Sequence, residues 1–167
     1  MELRELKNIE IVNSEDLPNL QTVDARVVRG GQPTENGLVI LKEHGIKTVV
    51  NLREEMSAIA FEESLSKQIG LDFISIPLRP FEIPDDKALE LFLEVSQNKD
   101  KQPIFVHCLH GMDRTGLMMA LYRMKVSDWS YEEAINEMLE VGFHVACTNL
   151  SNPLKKYARA LGKLKED

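Results

Sequence analysis

Short apolar runs rich in β-branched residues alternate along this chain with longer stretches of helical period. Ile46-Lys47-Thr48-Val49-Val50-Asn51-Leu52, Leu71-Asp72-Phe73-Ile74-Ser75-Ile76 and Ile104-Phe105-Val106-His107 have the length and composition of buried strands. Val27-Val28-Arg29 is a weaker fourth. Between and after them fall the helical patterns. Thr34 can cap a helix running to about His44, where Gly45 stops it, and a second spans Glu54 to Ile69 and ends at Gly70. Pro84-Asp85-Asp86 opens a third, with acidic residues in its first turn and Leu89, Phe92, Leu93 and Val95 on one face. Thr115 to Lys125, Ser130 to Val141 and Ser151 to Leu164 complete the set.

Strands alternating with helices of this length predict an α/β fold with a mainly parallel central sheet covered by helices on both faces. The last three helices are expected to bundle on one face. No internal repeat, low-complexity tract or Gly/Pro/Ser-rich linker interrupts the 167 residues, so the expectation is a single domain, 1–167. No apolar run approaches the roughly 18 residues that a membrane span requires. The N-terminus alternates charge with leucine and lacks a signal-peptide core, which points to the cytoplasm; a periplasmic or secreted chain that had lost its signal would read the same way.

Twenty basic residues against 27 acidic ones give a net charge of −7, a surface that repels polyanions and argues against nucleic acid as partner. Any anion must be held by a local set of donors. The two cysteines, Cys108 and Cys147, do not make a stapled scaffold in a chain of this size.

The chemistry concentrates in Val106-His107-Cys108-Leu109-His110-Gly111-Met112-Asp113-Arg114-Thr115-Gly116. A buried strand ends at His107 and a helix begins near Thr115, so the backbone N–H groups of Leu109 to Arg114 can converge at the positive end of a helix dipole. It is not a nucleotide-binding loop, because the Gly-Lys-Ser/Thr ending is missing. At the head of this cradle, amide dipoles and Arg114 favour the thiolate of Cys108 over its thiol. Arg114 can fold its planar fork over two oxygens of a phosphate, and Thr115 can donate its hydroxyl to the sulfur as it leaves. Gly111 suits a turn that needs positive φ or a missing side chain, and His107 suits orienting the loop through backbone hydrogen bonds. These residues together suit nucleophilic phosphoryl transfer through a cysteinyl-phosphate. The bland readings are an inert buried thiol for Cys108, a core position for Cys147 and a surface role for Arg114. A zinc site from His107, Cys108 and His110 lacks a second ligand pair. No metal and no cofactor are therefore expected.

His-Cys-(five residues)-Arg-Thr-Gly after a hydrophobic strand resembles the active-site signature of the cysteine-dependent protein tyrosine phosphatase superfamily, and within it the small atypical dual-specificity branch of bacterial type. Arg29-Gly30-Gly31-Gln32-Pro33-Thr34 and Gly45 to Arg53 are similar to the N-terminal half of its small members, and Tyr122-Arg123, Trp129-Ser130 and Gly142-Phe143-His144 to the bacterial helical tail. The resemblance implies the phosphatase fold and a metal-independent phosphomonoesterase. It also implies a general acid on a mobile loop before the cysteine, where Pro77 to Asp86 offers no Trp-Pro-Asp. Asp113, Asp86 and Glu82 are the candidates, in that order; Asp85 and Asp86 also read as charges at a helix start.

Phosphoprotein and inositol polyphosphate substrates both remain open. Leu109 and Met112 are uncharged, His110 adds partial positive charge, and Arg29, Arg53 and Arg79 are rim candidates for a multiply phosphorylated ring, Arg29 being also a candidate supporting residue beside His107. A silent phosphate-binding module, or a redox sensor pairing Cys108 with Cys147, are the readings of another class. The chain is expected to act as a monomer.

Overall fold

The computed structural model describes residues 14–79, 84–142 and 151–165. Five strands form one sheet in the order β1-β2-β5-β3-β4, with β1 (Gln21–Thr22) antiparallel to β2 (Val27–Gly30) and all other pairs parallel. The central strand β5 (Ile104–His107) lies between β2 and β3 (Thr48–Asn51), and β4 (Asp72–Ser75) closes the far edge. Register places Gly30, His107 and Asn51 side by side at the carboxyl ends of their strands. The loop leaving β5 therefore emerges at the middle of the sheet, the position where open α/β sheets place their ligands.

Helices cover both faces, which is why the strands read as near-continuous apolar runs. Val28, Val49 and Phe105 point to one side, against α1 (Glu35–Glu43) and α2 (Met56–Ile69), with Leu38, Leu41, Ile46 and Leu71. Val27, Val50, Ile104 and Val106 point to the other. There they meet α3 (Asp86–Gln97) through Leu89 and Phe92, and α4 (Arg114–Lys125) through Leu117, Met118 and Leu121. Helices α5 (Tyr131–Val141) and α6 (Ser151–Ala160) pack on α4 and complete this side with Ala134, Met138, Leu154 and Ala158. The expected three-helix bundle on one face is thus present.

Caps explain several boundaries. Thr34 Oγ1 accepts from Gly37 N at 3.0 Å, Asp85 Oδ1 from Ala88 N at 2.8 Å, and Ser130 with Glu133 forms a capping box. The sequence expectation differs at the edges. The strands over 46–52 and 71–76 shorten to four residues each, because Ile46, Leu52, Leu71 and Ile76 are buried but lie beyond the ladders. The last helix ends at Ala160 rather than Leu164; Lys163 N turns back to Ala158 O at 2.7 Å around Gly162 at φ 72°. Among the described residues no helix is long and apolar enough to cross a membrane.

Candidate active site

The segment from Cys108 to Asp113 is a loop whose carbonyl groups are all drawn outward between residues 108 and 111. The Cys108 carbonyl meets His107 Nδ1 at 3.0 Å. The Leu109 carbonyl accepts from Gln32 N at 3.0 Å, the His110 carbonyl from Asn19 Nδ2 at 3.3 Å, and the Gly111 carbonyl from Arg29 Nη2 at 3.0 Å. A trans peptide points its N–H opposite to its C=O, so anchoring these four oxygens in the scaffold turns the following N–H groups towards the loop interior. One such N–H shows where they converge: Gly111 N donates to Cys108 Sγ at 3.2 Å. The thiol itself is buried.

Close approach of β2 makes this possible. Gly111 has φ 79°, and a Cβ on it would stand 2.5 Å from the Gly30 carbonyl carbon and 2.7 Å from Gly31 N. A Cβ on Gly31 would stand 3.0 Å from the Leu109 carbonyl oxygen. Gly111→Ala combines a left-handed backbone with a collision against backbone atoms, neither of which a side-chain rotation relieves. The expected outcome is a roughly 100-fold loss of kcat/KM with a lowered Tm, measured by phosphate release and thermal melting.

Helix α4 begins directly behind the loop. Arg114 is its first residue and is buried, with Nη1 donating to the Leu78 carbonyl at 3.2 Å. Leu78 is itself fixed by a bond from its N to the Leu52 carbonyl at 3.0 Å, so the ends of β3 and β4 place the guanidinium. A cleft of about 380 Å³ shares Leu78 and is lined further by Ile76, Arg79, Pro84, Lys87 and Leu91. Thr115 is buried and its Oγ1 has no hydrogen-bond partner among the described residues. Asp113 is half-buried at the cap position of α4 and makes no side-chain cap bond there.

A thiol receiving an amide hydrogen, a buried guanidinium at the start of the following helix and a strand-loop-helix frame suit an anion cradle with a nucleophile at its base. A family profile described as DSP-PTPase phosphatase fused to NAD+ kinase matches residues 1–152. The chain belongs to this phosphatase family. Dual specificity protein phosphatase TpbA of Pseudomonas aeruginosa (strain UCBPP-PA14) is 26% identical over 125 residues, which are 75% of this chain but only 55% of TpbA. NAD kinase 2, chloroplastic, of Arabidopsis thaliana is 35% identical over 99 residues, 57% of this chain and 10% of that protein. In structure, a DUF442 protein from Shewanella putrefaciens CN-32 gives a TM-score of 0.71 at 22% identity over 95% of both chains. The crystal structure of TpbA gives 0.70 at 21% identity over 90% of this chain and 99% of its own. These structures establish the shared fold.

The remaining sequence candidates of this family member lie partly at the cradle and partly away from it. Arg29 does not sit at a rim. It is 2% exposed beneath the loop, where burial lowers its guanidinium to about 10, partly offset by the negative charges of Glu137 and Cys108. Its Nε has no partner among the described residues. Arg53 is engaged by Gln32 Oε1 at 3.0 Å and Glu55 at 3.1 Å. Arg79 alone of the three projects outward, 70% exposed and 3.7 Å from Glu54. Leu109 and His110 form the exposed crown, whereas Met112 packs its sulfur towards Gly142 at the end of α5. Asp86 accepts from Tyr157 on α6 at 2.8 Å; burial first, and this bond second, push the Tyr157 hydroxyl up to about 12. Glu82 and Cys147 lie outside the described residues. Among the described residues no group of three or more His, Cys, Asp or Glu is placed to hold a metal ion.

Sequence reasoning missed four residues of the site: Gln32, Asn51, Glu62 and Asn19. Glu62 Oε2 meets His107 Nε2 at 2.7 Å and Asn51 Nδ2 at 2.6 Å, while Oε1 accepts from Gln32 Nε2 at 2.7 Å. The signal was present in α2, where Ile59, Glu62 and Ser66 share the buried face. A carboxylate at an apolar-face position has to be paired.

Proposed function

We infer that the chain hydrolyses phosphomonoesters through a cysteinyl-phosphate, without metal or cofactor, as a dual-specificity or tyrosine protein phosphatase acting as a monomer. The observation that carries this reading is the loop itself, with four carbonyls pulled outward, an amide on Cys108 Sγ and Arg114 at the helix start.

In the first step the Cys108 thiolate attacks phosphorus and the P–O bond to the leaving group breaks. Asp113, at the cap position beside the loop, gives a proton to the departing oxygen. Loop amides and Arg114 take up the charge on the equatorial oxygens. In the second step water attacks phosphorus and returns a proton to Asp113. The S–P bond breaks, and Thr115, whose buried hydroxyl lacks another partner among the described residues, donates to the leaving sulfur. Asp86 ranks below Asp113 as acid because Asp113 lies within the loop itself, whereas Asp86 opens α3 and reaches Tyr157 on α6.

A protein substrate is favoured over a multiply phosphorylated ring by the crown. Leu109 is uncharged and exposed, and two of the three candidate arginines, Arg29 and Arg53, are occupied inside. Phosphate release with EDTA present should show kcat/KM for a phosphotyrosine peptide about tenfold or more above that for inositol hexakisphosphate. The reverse order would make Arg79 and Lys87 of the neighbouring cleft the recognition groups and the enzyme an inositol polyphosphatase. Loss of activity in EDTA would overturn metal independence.

A further inference from the structure

Glu62 is the least expected charge in the molecule. It sits on α2, its side chain is 3% exposed, and it faces the central strand of the sheet. A carboxylate so buried survives only if its oxygens are satisfied, and here donors from three separate elements do so. His107 arrives from β5, Asn51 from β3, and Gln32 from the segment between β2 and α1. Gln32 is in turn held by Arg53, which also pairs with Glu55. Phe105 stacks on the His107 ring at 5.5 Å, and Arg29 and Arg114 are the charges on the loop side.

The contacts of His107 determine its hydrogens. Nε2 faces Glu62 Oε2 and Nδ1 faces the Cys108 carbonyl oxygen. A neutral imidazole is a donor at one nitrogen and an acceptor at the other, so it would set two acceptors against each other at one of these contacts. With Glu62 as a carboxylate, its two oxygens accepting from Asn51 and Gln32 as well, only a ring with hydrogens on both nitrogens satisfies both contacts. Burial alone would push the Glu62 carboxyl up, but the bonds from His107, Gln32 and Asn51 outweigh it and hold it below the usual range.

We propose that Glu62 is a positioning residue of the loop: it holds His107 as an imidazolium, and His107 fixes the Cys108 carbonyl and stands as a buried cation behind the thiolate. The inference rests on reading Cys108 as the nucleophile. Through the trans peptide, fixing the Cys108 oxygen aims Leu109 N–H into the cradle. The negative end of that carbonyl is neutralised at the residue whose sulfur must carry charge. Structural support alone would need neither the second hydrogen on the ring nor the link to Cys108.

Two measurements test it, neither of which depends on turnover, so failure of the phosphatase reading and failure of this one are separable. In the wild-type protein at neutral pH, nitrogen-15 NMR should show both ring nitrogens of His107 protonated. In Glu62→Gln one should become unprotonated. Alkylation of Cys108 by iodoacetamide, followed on the Cys108 peptide by mass spectrometry, should become about tenfold slower on the acid side of its pH profile in Glu62→Gln. In a His107→Asn background, Glu62→Gln should shift the profile no further, which marks an action exerted through the ring. A wild-type His107 with one bare nitrogen would overturn the proposal, as would a folded Glu62→Gln protein with the wild-type alkylation profile. Should Glu62→Gln fail to fold, the wild-type spectrum decides.

Discussion

Replacing Cys108 by serine is expected to lower kcat by roughly 10,000-fold or more while leaving the binding of a phosphate ester within a few-fold of wild type. The two effects separate because they draw on different parts of the loop. Binding uses backbone N–H groups whose direction is set by four carbonyl anchors, and none of those anchors involves the sulfur. Bond formation to phosphorus uses the sulfur. Sulfur is a far better nucleophile than a serine hydroxyl, and Gly111 N already donates to Cys108 Sγ at 3.2 Å. A serine hydroxyl in the same place gains no base from His107, which is turned to Glu62 and the Cys108 carbonyl. Phosphate release measures the first effect, and titration calorimetry with a phosphotyrosine peptide the second. In wild type, acid quenching during turnover should leave phosphate on the peptide that contains Cys108. Undiminished turnover in the serine variant would remove the cysteinyl-phosphate mechanism altogether.

How far the sequence could be read depended on how local each feature is. Ile104 to His107 was legible as a strand to the residue, because it lies at the sheet centre and both of its faces are buried. The two-residue β1 was not, since a ladder of two pairs leaves no period in the sequence. Gly70 and Ser130 marked their helix ends through backbone chemistry written in single residues. The last helix was overextended because Leu161 and Leu164 keep the apolar spacing after the hydrogen bonding has turned at Gly162.

The site divides in the same manner. Cys108, Gly111, Arg114 and Thr115 are joined by one short loop, so spacing alone brings them together. Its supports come from elsewhere: Asn19 is 91 residues from His110, Arg29 is 82 from Gly111, and Glu62 is 45 from His107. Only the parallel pairing of β5 with both β2 and β3 brings Arg29 and Asn51 to the loop, and no local pattern states that pairing. The sequence leaves Arg29 open between a supporting residue and a rim contact, and its burial with a bond to the Gly111 carbonyl decides for the first. Glu62 alone carried a readable warning, a charge on the face where α2 buries Ile59 and Ser66.

Arg114→Lys should reduce kcat by about 1,000-fold and, unlike the serine variant, weaken phosphate ester binding as well. Lysine keeps the charge, so long-range attraction of the anion survives the change. What it loses is the planar fork. Arg114 spends one nitrogen, Nη1, on the Leu78 carbonyl, which fixes the plane of the guanidinium and leaves its other N–H donors for the anion. An ammonium gathers its three donors on a single nitrogen, so it cannot hold the Leu78 carbonyl and also present a planar pair of N–H groups to two phosphate oxygens. Loss of the anchor should also loosen the 76–79 segment, whose Leu78 lines the neighbouring cleft. Steady-state kinetics would then show kcat falling and KM for a phosphotyrosine peptide rising together. Vanadate, which resembles the five-coordinate phosphorus of the transition state, should lose affinity by a factor closer to the fall in kcat/KM than to the loss of substrate binding. A lysine variant that kept wild-type kcat would mean that charge alone suffices at this position and that the Leu78 contact serves folding rather than chemistry.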